Sequence, residues 1–274
     1  MTGEGFGGRY RAAVAGRGRL CAGIDPHPSL LEQWGLPVTA DGLAAFADAC
    51  VAGIAPVAAV IKPQVAFFEM FGAAGFAVLE RVISGCREAG ALVVADAKRG
   101  DIGSTMAAYS TAWLDEASPL CSDAVTVSPY LGFGSLAPAV EQAAATGRAV
   151  FALARTSNPE GARVQTADSA GRSVAQSIVD DAARVNTAGS GTVGVVVGAT
   201  RDHGLDLSTL SGPVLAPGLG AQGATAADLA RIFVDCDPTW ILPAASRSIL
   251  RAGPDPAALA AAVAVTRDEI EAAL

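Results

Sequence analysis

The sequence predicts an α/β fold: a single (β/α)8 barrel of the TIM type spanning residues 1–274, with an extra helix at each end. Three observations predict it. Short apolar runs rich in β-branched residues recur about every 30 residues. Each is followed by a polar or Gly/Pro junction and then by an Ala/Leu-rich stretch of helical period. Eight such units fill about 250 residues, the size of one barrel. A doubly wound open sheet is the alternative arrangement, but no GxGxxG follows the first run.

In order, the eight runs are LCAGIDP (20–26), AAVIKPQ (58–64), LVVADAK (92–98), AVTVSPY (124–130), AVFALAR (149–155), TVGVVVGA (192–199), PVLAPGL (213–219) and WILPAAS (240–246). A segment such as AGFAVLERVISGCREAG, between the second and third, carries apolar residues at helical spacing and ends at glycine, which stops a helix. GGRYRAAVAG before the first run and DPAALAAAVAVTRDEIEAAL after the last are read as the terminal helices. No domain boundary, repeat or low-complexity linker interrupts the series. The longest connection without clear periodicity, 156–172, reads equally as a lid or a surface excursion.

Composition excludes several classes. No uncharged apolar run approaches the roughly 18 residues a membrane span needs. The N-terminal MTGEGFGGRYRAA lacks the apolar stretch of a secretory signal, so a cytoplasmic protein is expected. Five widely spaced cysteines without a CxxC pair, and only two histidines, argue against a disulfide framework and a structural zinc site. With 27 acidic against 19 basic residues, the net charge of -8 is the wrong sign for a nucleic-acid surface. An anionic ligand must meet a local positive site.

Of the 19 basic residues only Lys62 and Lys98 are lysine. Arginine does not give up its proton in a protein, whereas a lysine can be tuned by its surroundings to act as an acid. Both lysines are therefore candidates for proton chemistry.

In a (β/α)8 barrel the reactive groups sit at the C-terminal strand ends. Here the first run ends in Asp25, the second in Lys62, the third in Asp96 and Lys98, the fifth leads into Ser157 and the eighth into Arg247. Asp96 and Lys98 are two apart, so on an extended strand both point to the same face, which in a barrel can be the lumen, while Ala97 points outward to the helices. With Asp101 just beyond, Lys62, Asp96, Lys98 and Asp101 make an array of alternating charge in which each lysine is held protonated by carboxylates. An ion-pair network that merely closes the barrel mouth is the structural alternative. The glycine-rich turn PGLGAQG (217–223) after the seventh run, close to Arg247 in SRS (246–248), points to phosphate binding by backbone N–H groups and a guanidinium. His27 and His203 read as polar loop residues, and no GxSxG motif suggests a serine hydrolase.

On these residues the chain resembles the orotidine 5'-monophosphate decarboxylases. DAKRGDIGST (96–105) carries their DxKxxD pattern, and IKPQVAFFE (61–69) is similar to the second-strand motif of their longer, type 2 branch. GIDP (23–26), TSNPEG (156–161), APGLGAQG (216–223) and SRSI (246–249) extend the resemblance over the whole barrel. It implies that orotidine 5'-monophosphate loses CO2 to give uridine 5'-monophosphate, the last step of de novo pyrimidine synthesis, with no cofactor and no metal. Asp25 and Lys62 would hold the ribose hydroxyls, Asp96 would face the substrate carboxylate, and Lys98 would protonate C6. Ser157 would contact the pyrimidine. Gln222 and Arg247 would grip the phosphate under a loop that begins at Pro217 and includes Gly218 and Gly220. The resemblance further implies a homodimer in which Asp101 and Thr105 enter the neighbouring site. One departure is visible: Ser128 stands in TVSPY where the family pattern has asparagine. DxKxxD alone is shared with related sugar-phosphate barrels. A metal-dependent sugar-phosphate decarboxylase or aldolase-like enzyme, and a silent nucleotide-binding barrel, are the competing readings.

Overall fold

A computed structural model describes residues 5–199, 202–220 and 223–274. Eight parallel strands fall on the eight predicted runs, β3 extending one residue beyond its run: β1 (Cys21–Ile24), β2 (Val60–Pro63), β3 (Leu92–Arg99), β4 (Ala124–Val127), β5 (Ala149–Arg155), β6 (Val193–Val197), β7 (Val214–Pro217) and β8 (Ile241–Ala245). They close in sequential order, β8 pairing with β1 through Cys21 opposite Ala244. The strands are buried on both faces, which is why they read as unbroken apolar runs rather than alternating ones.

Two apolar layers follow. The larger packs the outer strand faces against the surrounding helices. The smaller fills the barrel with inward residues such as Val60, Val94, Phe151, Leu215 and Leu242. Its floor comes from the N-terminal helix Phe6–Arg17. Phe6 and Tyr10 enter the lower mouth, Tyr10 stacked on Trp240 at 5.5 Å and Phe6 edge-on to Phe151 at 6.2 Å. Two arginines fasten this helix. Arg9 pairs with Asp123 and donates to the Gly147 carbonyl at 2.8 Å. Arg17 donates to the Ala55, Ala58 and Ala89 carbonyls. The C-terminal helix Pro256–Ala273 opens with Asp255 accepting from Ala258 N–H, and buries Leu259, Val263 and Ile270.

The barrel departs from eight regular units in two places. After β6, residues 202–213 carry no helix. Gly204 has φ +65°, Asp206 turns back to accept from Ser208 N–H at 2.9 Å, and Leu205, Leu207 and Leu210 are buried in an irregular chain. The second departure is in β3. Its register on β4 shifts between Ala95, opposite Val125, and Arg99, opposite Val127. Between these pairings the single β4 residue Thr126 stands opposite three of β3, and Asp96, Ala97 and Lys98 lie in the bulge. The segment 156–172 after β5 includes a short helix, Ala162–Gln165, and a two-stranded hairpin, Asp168–Ser169 with Arg172–Ser173. Gln165 ties it to the strand end, accepting from Thr156 N–H at 3.0 Å and donating to Thr156 Oγ1 at 2.8 Å.

All five cysteines are free and buried, and burial pushes the thiols of Cys21, Cys86 and Cys236 up to about 12. Among the described residues no helix is long and apolar enough to cross a membrane.

Candidate active site

A cavity of about 400 Å³ opens at the C-terminal ends of β1, β2, β7 and β8. Its walls include Asp25, Lys62, Gln64, Gly218, Ser246 and Arg247. Each arrives by a local cause. Gly23 pairs with Lys62 across β1 and β2, and it leaves room for the residue after β8: a Cβ on Gly23 would stand 2.6 Å from Ser246 Cβ. Asp25 follows at the strand end. The Asp25 Oδ1 and Ser246 Oγ atoms are buried without a hydrogen-bond partner among the described residues. Buried oxygens are normally paired, so two orphans on one cavity wall mark a place where polar groups are arranged for a ligand.

Asp96 is the centre of the charged array. Lys62 Nζ donates to its Oδ2 at 2.8 Å and Lys98 Nζ to its Oδ1 at 2.6 Å. Thr126 Oγ1 donates to Oδ1 at 2.9 Å. With its amide oriented to satisfy its neighbours, Gln64 donates to Oδ2 at 2.6 Å and accepts from Lys98 Nζ at 3.3 Å. Four donors on one carboxylate leave no place for a proton. Burial raises the Asp96 carboxyl, but the two lysines outweigh it and hold the group well below the usual carboxylate range. Burial likewise disfavours the Lys62 charge, and Asp96 followed by Asp25 outweighs it, holding the ammonium well above the usual lysine range. Lys62 is 8% exposed, whereas the Lys98 side chain is 45% exposed and stands at the rim. Asp96 and Lys98 connect to the cavity through the lining residues Lys62 and Gln64.

The array differs from the regular strand pattern in how it forms. Asp96 and Lys98 do converge, but through the β3 bulge, with Lys98 at φ +50°, rather than along an even pleat. Asp101 is not part of it within the chain. It lies past the strand end, after Gly100, and its Oδ1 accepts from Ile102 N–H at 2.8 Å. Thr105 is exposed on the first turn of the helix Gly103–Leu114.

On the opposite side, Pro217 and Gly218 line the cavity and Gly220 lies over the short helix Arg247–Leu250, where a Cβ would stand 3.6 Å from Ser248 Oγ. Gly218 and Gly220 have φ +119° and +69°, so the turn needs glycine at both positions. The glycine turn and Arg247 are thus brought together, as their sequence positions suggest. Gln222 lies outside the described residues. Ser157 sits at the end of β5 against Gly198, where a Cβ would approach its Cα to 2.9 Å.

Sequence reasoning passed over four residues here. Gln64 was visible only as part of a motif. Thr126 gave no signal in its strand. Ser246 and His27 are loop residues until the barrel closes. His27 is a wall residue, its ring 4.0 Å from that of Phe67.

This layout is that of a (β/α)8 enzyme working with charged side chains at the C-terminal rim of its strands. The chain matches the family model described as Orotidine 5'-phosphate decarboxylase / HUMPS family over residues 18–263, and it belongs to that family. The orotidine 5'-phosphate decarboxylase of Corynebacterium glutamicum (strain R) is 56% identical over 267 residues, covering 95% of this chain and 96% of that protein. That of Salinispora arenicola (strain CNS-205) is 56% identical, covering 99% of each. A crystal structure from Streptomyces avermitilis ma-4680 shares the fold at TM-score 0.94 and 51% identity, covering 100% of this chain and 97% of the other. Leishmania donovani OMP decarboxylase follows at TM-score 0.77 and 32% identity, with 96% of each chain covered.

Proposed function

We propose that the protein decarboxylates orotidine 5'-monophosphate to uridine 5'-monophosphate, with Lys98 as the proton donor to C6 and without a cofactor. The observation that carries this reading is the Lys62–Asp96–Lys98 array at the rim of a cavity whose other wall holds a glycine turn and Arg247.

In the reaction the bond from C6 to the carboxylate carbon breaks and the electron pair stays on C6 as CO2 leaves. The Lys98 ammonium faces the developing charge and transfers its proton to C6, to be reprotonated from water. No delocalising group takes up the electron pair, so the step calls for differential stabilisation on the order of 20 kcal/mol if it lies high in the enzymatic range. One hydrogen bond falls far short of that, and fixed charge in a water-poor site supplies much more. Asp96 keeps Lys98 oriented and faces the departing carboxylate. Asp25 and Lys62 hold the ribose hydroxyls, Ser157 meets the pyrimidine, and the turn from Pro217 through Gln222 grips the phosphate with Arg247. Phosphate contacts remote from the ring contribute to turnover by closing the site and fixing the ring against Lys98.

A cytoplasmic homodimer completes the reading, with Asp101 and Thr105 entering the partner's site. Exposed large apolar side chains on this segment and on the loops after β2 and β4 support it. Met70, Ile102, Tyr130 and Leu131 are 53%, 62%, 81% and 53% exposed. Arg99 pairs with Glu69, next to Met70, and its carbonyl accepts from Ser128 N–H at 2.7 Å, two residues before Tyr130.

The test is CO2 release from orotidine 5'-monophosphate by the purified protein before and after exhaustive chelation, with Lys98→Ala alongside. Undiminished release after chelation, and none from the variant, is expected. Near-normal turnover by Lys98→Ala would remove the proton-donor role, and loss of activity on chelation would return the metal-dependent reading.

A further inference from the structure

The β3 bulge leaves a backbone problem that one side chain solves. Between Ala95 and Arg99 the ladder to β4 is broken, so Lys98 N–H has no strand carbonyl opposite it. It donates instead to Thr126 Oγ1 at 2.9 Å. The same hydroxyl turns its own hydrogen onto Asp96 Oδ1, also at 2.9 Å. That oxygen is the one that accepts from Lys98 Nζ. Thr126 therefore closes a ring with both ends of Lys98: the backbone directly, the ammonium through Asp96. Lys98 lies at φ +50°, a conformation a lysine adopts only when its surroundings impose it. Thr126 is 1% exposed, and its hydroxyl is already engaged by Lys98 N–H and Asp96 Oδ1.

We infer that Thr126 is a positioning residue: its hydroxyl holds the left-handed Lys98 and the Asp96 carboxylate in the relative geometry that aims the Lys98 ammonium. This rests on the reaction proposed above, in which Lys98 delivers the proton. Only a residue with a hydroxyl on β4 at this height can do both jobs. The side chain must accept from a backbone N–H and donate to a carboxylate at once, which valine or alanine cannot do and serine can. A misaimed ammonium affects the chemical step more than binding, since the groups proposed to bind ribose and phosphate stand on β1, β2 and the β7–β8 side.

The experiment compares Thr126→Val, which keeps the shape and removes the hydroxyl, with Thr126→Ser, which keeps the hydroxyl and removes the methyl. For each, kcat and KM on orotidine 5'-monophosphate and the Kd for uridine 5'-monophosphate are measured. Lys98→Ala runs in parallel. Expected for Thr126→Val is a loss in kcat on the order of 10- to 100-fold, the effect of a lost hydrogen bond to a charged group. KM and Kd should stay within about twofold, as for a group that does not touch the ligand. Thr126→Ser should recover kcat to within a few-fold of the parent. Should Thr126→Val not fold, Thr126→Ala is compared with Thr126→Ser in the same way. The inference is overturned if Thr126→Val turns over like the parent while Lys98→Ala is dead. It is equally overturned if Thr126→Ser is as impaired as Thr126→Val, or if the loss falls on KM and Kd. Near-normal turnover by Lys98→Ala would instead remove the proton-donor role of Lys98, and this inference with it, while leaving the decarboxylation itself standing.

Discussion

Lys62 and Lys98 stand on opposite oxygens of one carboxylate, Nζ to Asp96 Oδ2 at 2.8 Å and Nζ to Asp96 Oδ1 at 2.6 Å. They are the only lysines in the sequence. One is buried and its positive charge is fixed by Asp96 and Asp25; the other stands at the rim. The division matters for the proposed reaction: a buried, paired lysine supplies a steady field, while a lysine at the rim is the one placed to exchange a proton with solvent.

Asp96→Ala should cost stability as well as turnover. Removing one partner of a buried pair leaves the other charge uncompensated, a penalty of about 3 kcal/mol or more. Urea unfolding should show that loss, and Lys62→Met in the same background should recover part of it.

The pair also sets a pH dependence of stability. The folded Asp96 lies below its ordinary 3.8, so its contribution is present above that value and is lost as pH falls through the lower folded one. The folded Lys62 lies above its ordinary 10.5, so its contribution is complete below that value and is lost as pH rises through the higher folded one. Urea midpoints of the parent should thus hold from about pH 5 to about 10 as far as this pair is concerned. They should decline on both sides relative to the double variant Lys62→Met, Asp96→Ala.

Arg247→Ala should reduce kcat/KM strongly on orotidine 5'-monophosphate and little on orotidine, which lacks the phosphate. Steady-state kinetics on both substrates decide it; an equal loss on the two would take Arg247 away from the phosphate.

Mixing tests the shared site. If Asp101 serves the partner, Lys98→Ala and Asp101→Ala are each inactive, yet a mixed dimer has one intact site. Equal mixing and re-equilibration should return about a quarter of parental activity. No recovery, with mixed dimers verified by mass, would place Asp101 outside the neighbouring site.

Tyr10→Phe should preserve or raise the urea midpoint with kcat unchanged. The Tyr10 hydroxyl is fully buried without a partner among the described residues, so losing it relieves a desolvation cost of about 1 kcal/mol.

The eight strands were legible because each is short, β-branched and buried on both faces, and because sequential βα spacing leaves few ways to close a sheet. Asp96, Lys98 and Lys62 were legible as charges at the ends of apolar strands. The bulge was not. LVVADAK reads as an even strand, and only the pairing with β4 shows two extra residues and gives Thr126 its task. Nor was the missing helix after β6 visible: GLDLSTLSG carries leucines that a periodic reading accepts, while its glycines and Asp206 turn the chain. Ser246 and Gly23 come together only when β8 closes on β1, an approach between residues 223 apart in sequence that no local pattern encodes.

The stacked rings of Tyr10 and Trp240, with Phe6 against Phe151, stopper the barrel from below. The cavity is therefore closed at its floor and opens at the C-terminal rim of the strands. On the proposed reaction a small uncharged gas would slip out past a seated nucleotide, whereas the nucleotide itself would wait for the glycine turn and Arg247 to let go. Departure of the larger product would then set the pace whenever the bond-breaking step is fast.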